Sequence, residues 1–235
     1  MTLTIAIHRL YQWLLDLVLP PRCVVCGKVE TWLCESCVDK LSPLTEPICP
    51  KCSRLWNGSG LCPLCRDRPP VVEFIRAAFL FQGPIQDAIY AYKYRGARNL
   101  APLLAECMAE YWYQFPMEIG ILVPVPLHPD RERWRGYNQA ALLAKALGAL
   151  IERPVELGAL VRTRPTRSQT KLSVPERRRN VAEAFECVMG EDLCGRDIML
   201  VDDVATTGAT LDACAVSLLA CGVRSVRAFT LARAV

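Results

Sequence analysis

Two kinds of apolar pattern follow one another along residues 74–231. Short, nearly continuous apolar runs predict buried strands over 74–81, 119–125, 197–201 and 225–231. Between them, apolar residues at helical spacing predict helices over 84–94, 99–115, 137–150 and 208–221. Strands that alternate with helices predict an α/β domain whose mainly parallel sheet has flanking helices on both faces. Such sheets bind ligands at the carboxyl ends of their strands.

The N-terminal residues carry a separate apolar stripe. It predicts an amphipathic helix over 1–20, with its apolar positions at Leu3, Ile7, Leu10, Leu14 and Leu17. Polar residues interrupt the segment, and its apolar part is shorter than the roughly 20 residues that a membrane span needs. We therefore expect no signal peptide, no transmembrane segment and a cytoplasmic location.

Cysteine spacing adds a second unit to this picture. The chain has 13 cysteines, and eight of them form four CxxC pairs. A CxxC turn brings two thiolates to one tetrahedral Zn²⁺, so two turns complete a site. The spacing predicts a double zinc ribbon over 21–68 with two structural Zn²⁺ ions, held by Cys23, Cys26, Cys34 and Cys37 and by Cys49, Cys52, Cys62 and Cys65.

Other uses of the four CxxC turns stay open at this point. A cross-braced arrangement would join the first turn to the third and the second to the fourth, through longer closures. Disulfides would need an oxidising compartment, and a thioredoxin-like redox site would use one CxxC rather than four. Because so short a segment has little apolar mass, metal binding should supply its folding free energy.

Charge is distributed unevenly along the chain. The net charge of +4 does not by itself indicate a nucleic-acid-binding protein, but residues 130–179 hold 12 Lys/Arg and five Asp/Glu. Such a region attracts phosphates or a nucleic-acid backbone, although it can also be a solvated surface. Arg131, Arg133 and Arg135 offer planar guanidinium groups that suit bidentate phosphate recognition. The stretch 162–180 is a candidate lid over an anionic substrate.

The most specific chemistry lies in IMLVDDVATTGATL, residues 198–211. An apolar strand runs into two acids, Asp202 and Asp203, which suit sugar hydroxyls or Mg²⁺. A loop then leads into a helix, and its amides, its hydroxyls and the helix N-terminus suit a phosphate. We assign phosphate binding to Ala205, Thr206, Thr207, Gly208, Ala209 and Thr210. Phosphoribosyl pyrophosphate fits such a site, because it combines a phosphate, a diol and a magnesium-bound pyrophosphate. The alternative interpretation of these residues is a core strand followed by a well-capped helix, with no ligand.

Taken together, these motifs resemble the ComF/ComFC family of competence-associated proteins. The resemblance rests on the four CxxC turns, on the stretches VPVPLHPDRERWRGYNQ and RTRPTRSQTKLSVPERRRNVAEAF, and on VDDVATTGATL, which is similar to the ligand loop of type I phosphoribosyltransferases. It implies a type I phosphoribosyltransferase-like domain over 71–235 after the zinc ribbons. It also implies that Asp202 and Asp203 are the catalytic acids and face the ribose hydroxyls, that 205–210 wraps the 5-phosphate, and that Arg133 and Arg135 lie near the pyrophosphate.

Two functions follow from these expectations. The first is phosphoribosyl transfer, in which Mg²⁺ and the arginines stabilise the departing pyrophosphate and the acceptor is not named by the sequence. The second is a non-catalytic adaptor for DNA uptake that binds single-stranded DNA or a competence helicase and whose pocket senses a phosphoribosyl ligand. Trp32, Trp56 and Trp134 lie beside charged residues and are candidates for stacking on bases.

Overall fold

The computed structural model describes residues 20–118, 120–163 and 184–234. The helix predicted over 1–20, apart from its last residue, and the candidate lid beyond Thr163 lie outside the described residues. Within the described ranges, no helix combines the length and the apolar character that crossing a membrane requires.

Four parallel strands form the central sheet of the described chain. Its order is β1-β6-β5-β2, and its members are β1 (Ile75–Leu80), β2 (Ile121–Pro124), β5 (Asp197–Ala205) and β6 (Ser225–Arg233). The predicted strands correspond to these four in chain order. A parallel sheet needs crossover connections, and the helices between the strands supply them.

A short antiparallel hairpin lies outside the central sheet and is absent from the sequence prediction. It pairs β3 (Leu160–Arg162) with β4 (Phe185–Cys187). Just beyond the pairing, the Thr163 N–H donates to the Ala184 carbonyl at 2.9 Å. Residues 163 and 184, which are far apart in the sequence, are therefore neighbours in space at the end of the hairpin.

Helices cover both faces of the sheet. The described helices are α1 (Glu35–Val38), α2 (Pro63–Asp67), α3 (Pro84–Tyr94), α4 (Leu100–Gln114), α5 (Pro129–Arg135), α6 (Gln139–Leu150), α7 (Gly190–Leu193) and α8 (Ala209–Ala220). One core joins α3, α4 and α6 to Met199 and Val201 of β5. The opposite core joins α8 and the hairpin to Ile198 and Leu200. This alternation is the two-residue period of a strand buried on both faces, and it confirms the predicted fold class.

Strand β5 continues four residues past its predicted end at Val201. Asp202, Val204 and Ala205 still pair with β6, opposite Thr230, Ala232 and Arg233 respectively. Two adjacent acids were expected to begin the loop because carboxylates are depleted from strands. Here the ladder to β6 holds the backbone extended, and this carries both acids beyond the end of β2.

Helix α5 replaces part of the basic loop expected after β2. Pro129 occupies its first turn, where a missing N–H is tolerated, and His128 caps it by accepting a 3.3 Å hydrogen bond from Asp130 N–H. Gly136 ends the helix in the left-handed conformation, with φ 83°. None of the α5 residues is buried, so the helix has no apolar stripe from which the sequence could predict it.

The cysteine-rich segment packs directly on β1. Leu44 N–H donates to Ala78 O at 2.8 Å, and Leu80 N–H donates to Ser42 O at 3.0 Å. Cys23, Cys34 and Cys37 of the first group contribute to the core formed by α3 and α4, whereas the second group of four forms a small cluster of its own with Trp56 and Leu61. The limits 1–20, 21–68 and 71–235 stay predictions.

Candidate functional site

A cavity of about 320 Å³ opens at the carboxyl ends of β2 and β5. Its wall is formed by the end of β5, the following loop, the first turn of α8, the residues after β2 and the end of α3. Of the residues predicted to form the site, the cavity is lined by Asp202, Asp203, Ala205, Thr206, Gly208, Ala209, Thr210 and Arg131. Residues far apart in the chain thus meet at the edge expected for ligands of a parallel sheet.

Asp202 and Asp203 lie in different surroundings although they are adjacent. Successive side chains of a strand point to opposite faces, and Asp203 contacts α3, whereas Asp202 interacts with Arg162 of the hairpin. The Asp203 N–H donates to Asp202 Oδ1 at 2.8 Å. The two acids therefore present carboxylates from both faces of one strand to the same cavity.

Lys93 is a component of the site that the sequence analysis missed. Its Nζ lies 2.7 Å from Asp203 Oδ1, and Asp203 is 2% exposed. Burial lowers the pKa of Lys93, but the charges of Asp203 and Asp202 outweigh it and raise the pKa overall. The signal was present in the sequence, because Lys93 follows Ile85 and Ile89 at four-residue spacing on the buried side of α3.

The pKa of Asp202 is raised to about 7. Burial is the largest cause and the neighbouring Asp203 adds to it, while Lys93 and Arg162 act in the opposite direction. Arg162 is 8% exposed, and its own pKa is lowered by burial and by Arg131. Two carboxylates and three cations therefore share one partly enclosed space.

The loop between β5 and α8 is shaped by Gly208 and Thr207. Gly208 has φ +83°, and a Cβ at this position would lie 3.0 Å from Ile75 Cδ1. Thr207 Oγ1 accepts a 3.3 Å hydrogen bond from Ala209 N–H, and Thr207 does not line the cavity. The first turn of α8 faces the cavity at Ala209 and Thr210, so the positive end of the helix points toward an anion bound there.

Arg133 and Arg135 are placed outside the cavity lining. Arg133 is largely exposed and pairs with Asp130. Arg135 donates to the side chain of Gln139 and lies with its guanidinium carbon 5.6 Å from the centre of the Tyr94 ring. Because Gln139 and Tyr94 both line the cavity, Arg135 lies directly behind its wall, whereas Arg133 faces solvent.

The eight CxxC cysteines form two tetrads, in the sequential arrangement. Within each tetrad the sulfur atoms lie within 4.8 Å of one another, as four ligands of one Zn²⁺ require. Burial raises the pKa of Cys49, but hydrogen bonds from the backbone of Cys62, Lys51 and Cys52 lower it to about 6 overall. A hydrogen bond from Ser36 is the largest cause of a similar value, about 6, at Cys34. Burial instead raises the pKa of Cys37 to about 12 and also raises those of Cys52 and Cys65. Four converging sulfur atoms fit structural zinc, whose charge would keep all four thiols of a tetrad deprotonated.

Comparison with known proteins places these features in one family. Residues 14–66 match the family described as "Double zinc ribbon domain". The "Competence protein ComFC" of Bacillus subtilis is 31% identical over 214 residues, which cover 88% of this chain and 86% of the relative. The chain belongs to the ComF/ComFC family. A second ComF/ComFC relative, "Competence protein F" of Haemophilus influenzae, is 31% identical over 225 residues and covers 91% and 97% of the two chains.

Among solved structures, this ComF/ComFC chain is similar to the glutamine phosphoribosylpyrophosphate amidotransferase of B. subtilis complexed with ADP and GMP. The match is 21% identical with a TM-score of 0.36, and it covers 61% of this chain and 27% of that one. The ComF/ComFC chain therefore spans about a quarter of the length of that enzyme. A likeness of this size does not argue for a shared ligand or activity.

Proposed function

We propose that the protein binds phosphoribosyl pyrophosphate with Mg²⁺ in the cavity at the ends of β2 and β5. The observation that carries the proposal is the convergence of two acids with the N-terminus of α8. In the proposed complex, the 5-phosphate takes hydrogen bonds from the loop 205–208 and from the first turn of α8. The ribose diol donates to Asp202 and Asp203, and the pyrophosphate and its Mg²⁺ lie toward Arg131.

An unused acceptor at Asp203 supports a hydroxyl-bearing ligand. Asp203 Oδ2 is buried and has no hydrogen-bond donor among the described residues, while its other oxygen is taken by Lys93. Buried polar atoms nearly always have a partner. A ribose hydroxyl is a neutral donor that could reach such an oxygen without adding charge to the site.

The charge balance of the cavity supports an anionic ligand despite its two acids. Lys93 neutralises Asp203, and the pKa of Asp202 near 7 means that this carboxyl carries only part of a negative charge at neutral pH. Arg131 and Arg162 then leave the wall with an excess of positive charge. The cavity volume of about 320 Å³ lies in the range of small-molecule sites, roughly 300–1,000 Å³.

The reaction that best uses such a ligand is transfer of its phosphoribosyl group with pyrophosphate as the leaving group. Bound Mg²⁺ would offset the charge that develops on the pyrophosphate. The residues of this chain position the sugar and hold the leaving group, which is where catalysis by positioning and electrostatics acts. The acceptor would enter from the side of the hairpin, where Arg162 lines the wall.

Calorimetric titration with phosphoribosyl pyrophosphate and Mg²⁺ tests this proposal. The double variant Asp202→Asn/Asp203→Asn should lose at least about tenfold in affinity, since two charged acceptors are removed. The matched control is Glu191→Gln/Asp192→Asn, which neutralises two adjacent exposed carboxylates on α7. Equal affinity in the Asp202/Asp203 variant and the control would refute the site.

Exposure of Trp134 favours a second candidate function, binding of single-stranded DNA. Trp134 is 72% exposed and lies between Arg133 and Arg135 on α5, whereas Trp32 and Trp56 are partly buried against the cores. An exposed aromatic ring between cations suits base stacking beside a phosphate backbone. The names of the two relatives, both competence proteins, support a role in DNA uptake, with a competence helicase as the proposed partner.

A strand-binding assay at several salt concentrations tests this second function. Trp134→Ala should weaken binding of a short single-stranded oligonucleotide by about 1–3 kcal/mol, the contribution of one stacked base. Tyr113→Ala is the control, because Tyr113 is a similarly exposed aromatic residue, 60% exposed, on α4. If the two variants bind alike, or if affinity does not fall with salt, DNA is not bound at α5.

A further inference from the structure

Arg233, the last residue of β6, is a buried cation that the proposed chemistry does not use. It is 1% exposed, and a buried charge is costly unless a partner of opposite charge or a set of acceptors compensates it. No carboxylate pairs with it among the described residues. Its compensation must therefore come from other groups.

Two different parts of the protein meet at this guanidinium. Arg233 Nη1 donates to the Thr206 carbonyl at 2.6 Å, and Thr206 belongs to the loop that lines the ligand cavity. On its other side, Arg233 lines a small cavity together with Cys52 and Cys65. Burial lowers the pKa of Arg233, and the charges of these two cysteines act against this larger effect to raise it. Cys52 and Cys65 belong to the second tetrad. A single side chain thus links a zinc ligand to the proposed phosphate loop.

Backbone pairing fixes Arg233 beside the end of β5. Arg233 pairs with Ala205 in the β5–β6 ladder, and Ala234 N–H donates to Ala205 O at 3.0 Å. Arg54, which lies two residues after Cys52 of the second tetrad, donates from Nη2 to the same Thr206 carbonyl at 3.5 Å. Arginines from the ribbon and from the sheet therefore converge on one loop carbonyl.

Thiolates of the second tetrad can supply the negative charge that Arg233 lacks elsewhere. Zn²⁺ bound there would keep all four cysteines deprotonated, and the site would then carry a net charge of about −2 beside the Arg233 guanidinium. The first tetrad differs, since three of its cysteines, Cys23, Cys34 and Cys37, pack into the core of α3 and α4. The two zinc sites are therefore unequal in their relation to the cavity.

We propose that Arg233 is a positioning residue that couples zinc in the second tetrad to the shape of the phosphate loop. Zinc bound by Cys49, Cys52, Cys62 and Cys65 holds the guanidinium in place, and the guanidinium holds Thr206. By reciprocity, a ligand that stabilises the loop also raises the affinity of the second tetrad for zinc, and in competition with a chelator a smaller fraction of this tetrad is then free of zinc. The effect of the ligand on zinc binding rests on the proposed function, whereas the effect of Arg233 on the loop does not.

Zinc release from the full, zinc-loaded chain tests the coupling without any variant. Zinc is drawn off by a colorimetric chelator with and without saturating phosphoribosyl pyrophosphate and Mg²⁺. Freed thiols are alkylated and mapped by peptide mass spectrometry. We expect the ligand to slow alkylation of the second tetrad by about tenfold or more, the size of a typical coupling free energy, and to leave the first tetrad unchanged. The proposal is overturned if the ligand binds but slows alkylation of both tetrads equally. It is also overturned if the ligand binds and slows alkylation of neither tetrad.

Arg233→Met and Arg233→Lys test the residue itself. We expect amide hydrogen exchange over 205–208 to be faster in Arg233→Met without any ligand, and zinc content to stay at two per chain. Arg233→Lys, which keeps the charge and a donor, should restore part of the protection. Arg224→Met is the control, since Arg224 is a largely exposed arginine that pairs with Asp197 at the opposite end of β5.

The exchange measurement separates the two proposals. If the wild-type chain does not bind phosphoribosyl pyrophosphate but Arg233→Met still loosens 205–208, the proposed function fails and the positioning role stands. If the ligand binds normally and exchange over 205–208 is the same in Arg233→Met and Arg224→Met, the positioning role fails. If the proposed function and the positioning role both hold, the ligand dissociation constant should rise about tenfold to a hundredfold in Arg233→Met, as expected for loss of a charged hydrogen bond.

Discussion

The Lys93–Asp203 ion pair makes a prediction about stability that needs no ligand. Lys93→Met removes the ammonium group and leaves the Asp203 carboxylate, 2% exposed, without its donor. Breaking a buried pair from one side costs about 3–5 kcal/mol. The Lys93 side chain is 21% exposed, so water can partly replace it, and we expect a loss of about 3 kcal/mol in the free energy of unfolding.

A double-mutant cycle isolates the pair. Lys93→Met, Asp203→Asn and the combined variant are unfolded in urea with zinc present, and the coupling free energy should be about 2 kcal/mol. Because the pKa of Lys93 is raised above its ordinary value of 10.5, the pair contributes fully below that pH and is lost as the pH rises further. Measurement at pH 7 is therefore inside the window where the pair is complete.

The exposed pair of Arg224 with Asp197 is the matched control for this cycle. Asp197 and Arg224 both contact solvent, and such pairs contribute only about 0–1 kcal/mol. A coupling free energy for Lys93 and Asp203 no larger than that of the control would refute the idea that a buried ion pair underlies the site. Parallel calorimetry then shows how much of the ligand affinity depends on Lys93.

Three further predictions concern other parts of the site. Because the pKa of Asp202 is raised from 3.8 to about 7, the stability that this carboxyl contributes is complete below pH 4 and is lost as the pH rises through 7. The difference in unfolding free energy between wild type and Asp202→Asn should change with pH in the same way. A difference that does not depend on pH would contradict this prediction. Removal of zinc by a chelator should unfold both ribbons, with two zinc ions released per chain, and elemental analysis that finds one ion would be inconsistent with two tetrads. Gly208→Ala should cost more than Gly96→Ala, because both have positive φ but only Gly208 has a side chain, Ile75, 3.0 Å from the added Cβ; equal losses in thermal unfolding would remove this explanation.

Much of the architecture could be predicted because it depends on local pattern. The strand and helix order follows from apolar periodicity, and the tetrads follow from CxxC spacing. The extension of β5 through Asp202 and Asp203 could not be predicted in this way. It depends on pairing with Thr230, Ala232 and Arg233 of β6. The sequence of a strand does not indicate which residues of another strand it will pair with.

The missed site residues share a physical cause. Lys93 and Arg233 are cations in apolar segments, where a sequence pattern offers no charge partner nearby. Their partners lie far along the chain, at Asp203 for Lys93 and at Thr206 for Arg233, which also lies beside Cys52. A charged residue on an otherwise buried stripe is the one local sign of such a partner, since burial of an unpaired charge is costly.

The hairpin of β3 and β4 has a consequence for how this site can diversify. Its two strands bring residues 163 and 184 into hydrogen-bond contact, so the entry and exit points of the intervening stretch are fixed by the sheet and not by the stretch itself. Loop closure depends only weakly on length once its ends are held together. The length of the stretch between residues 163 and 184 can therefore change while Arg162 stays beside Asp202. The wall of the cavity on this side is thus held by the hairpin and is independent of the number of residues that the hairpin encloses.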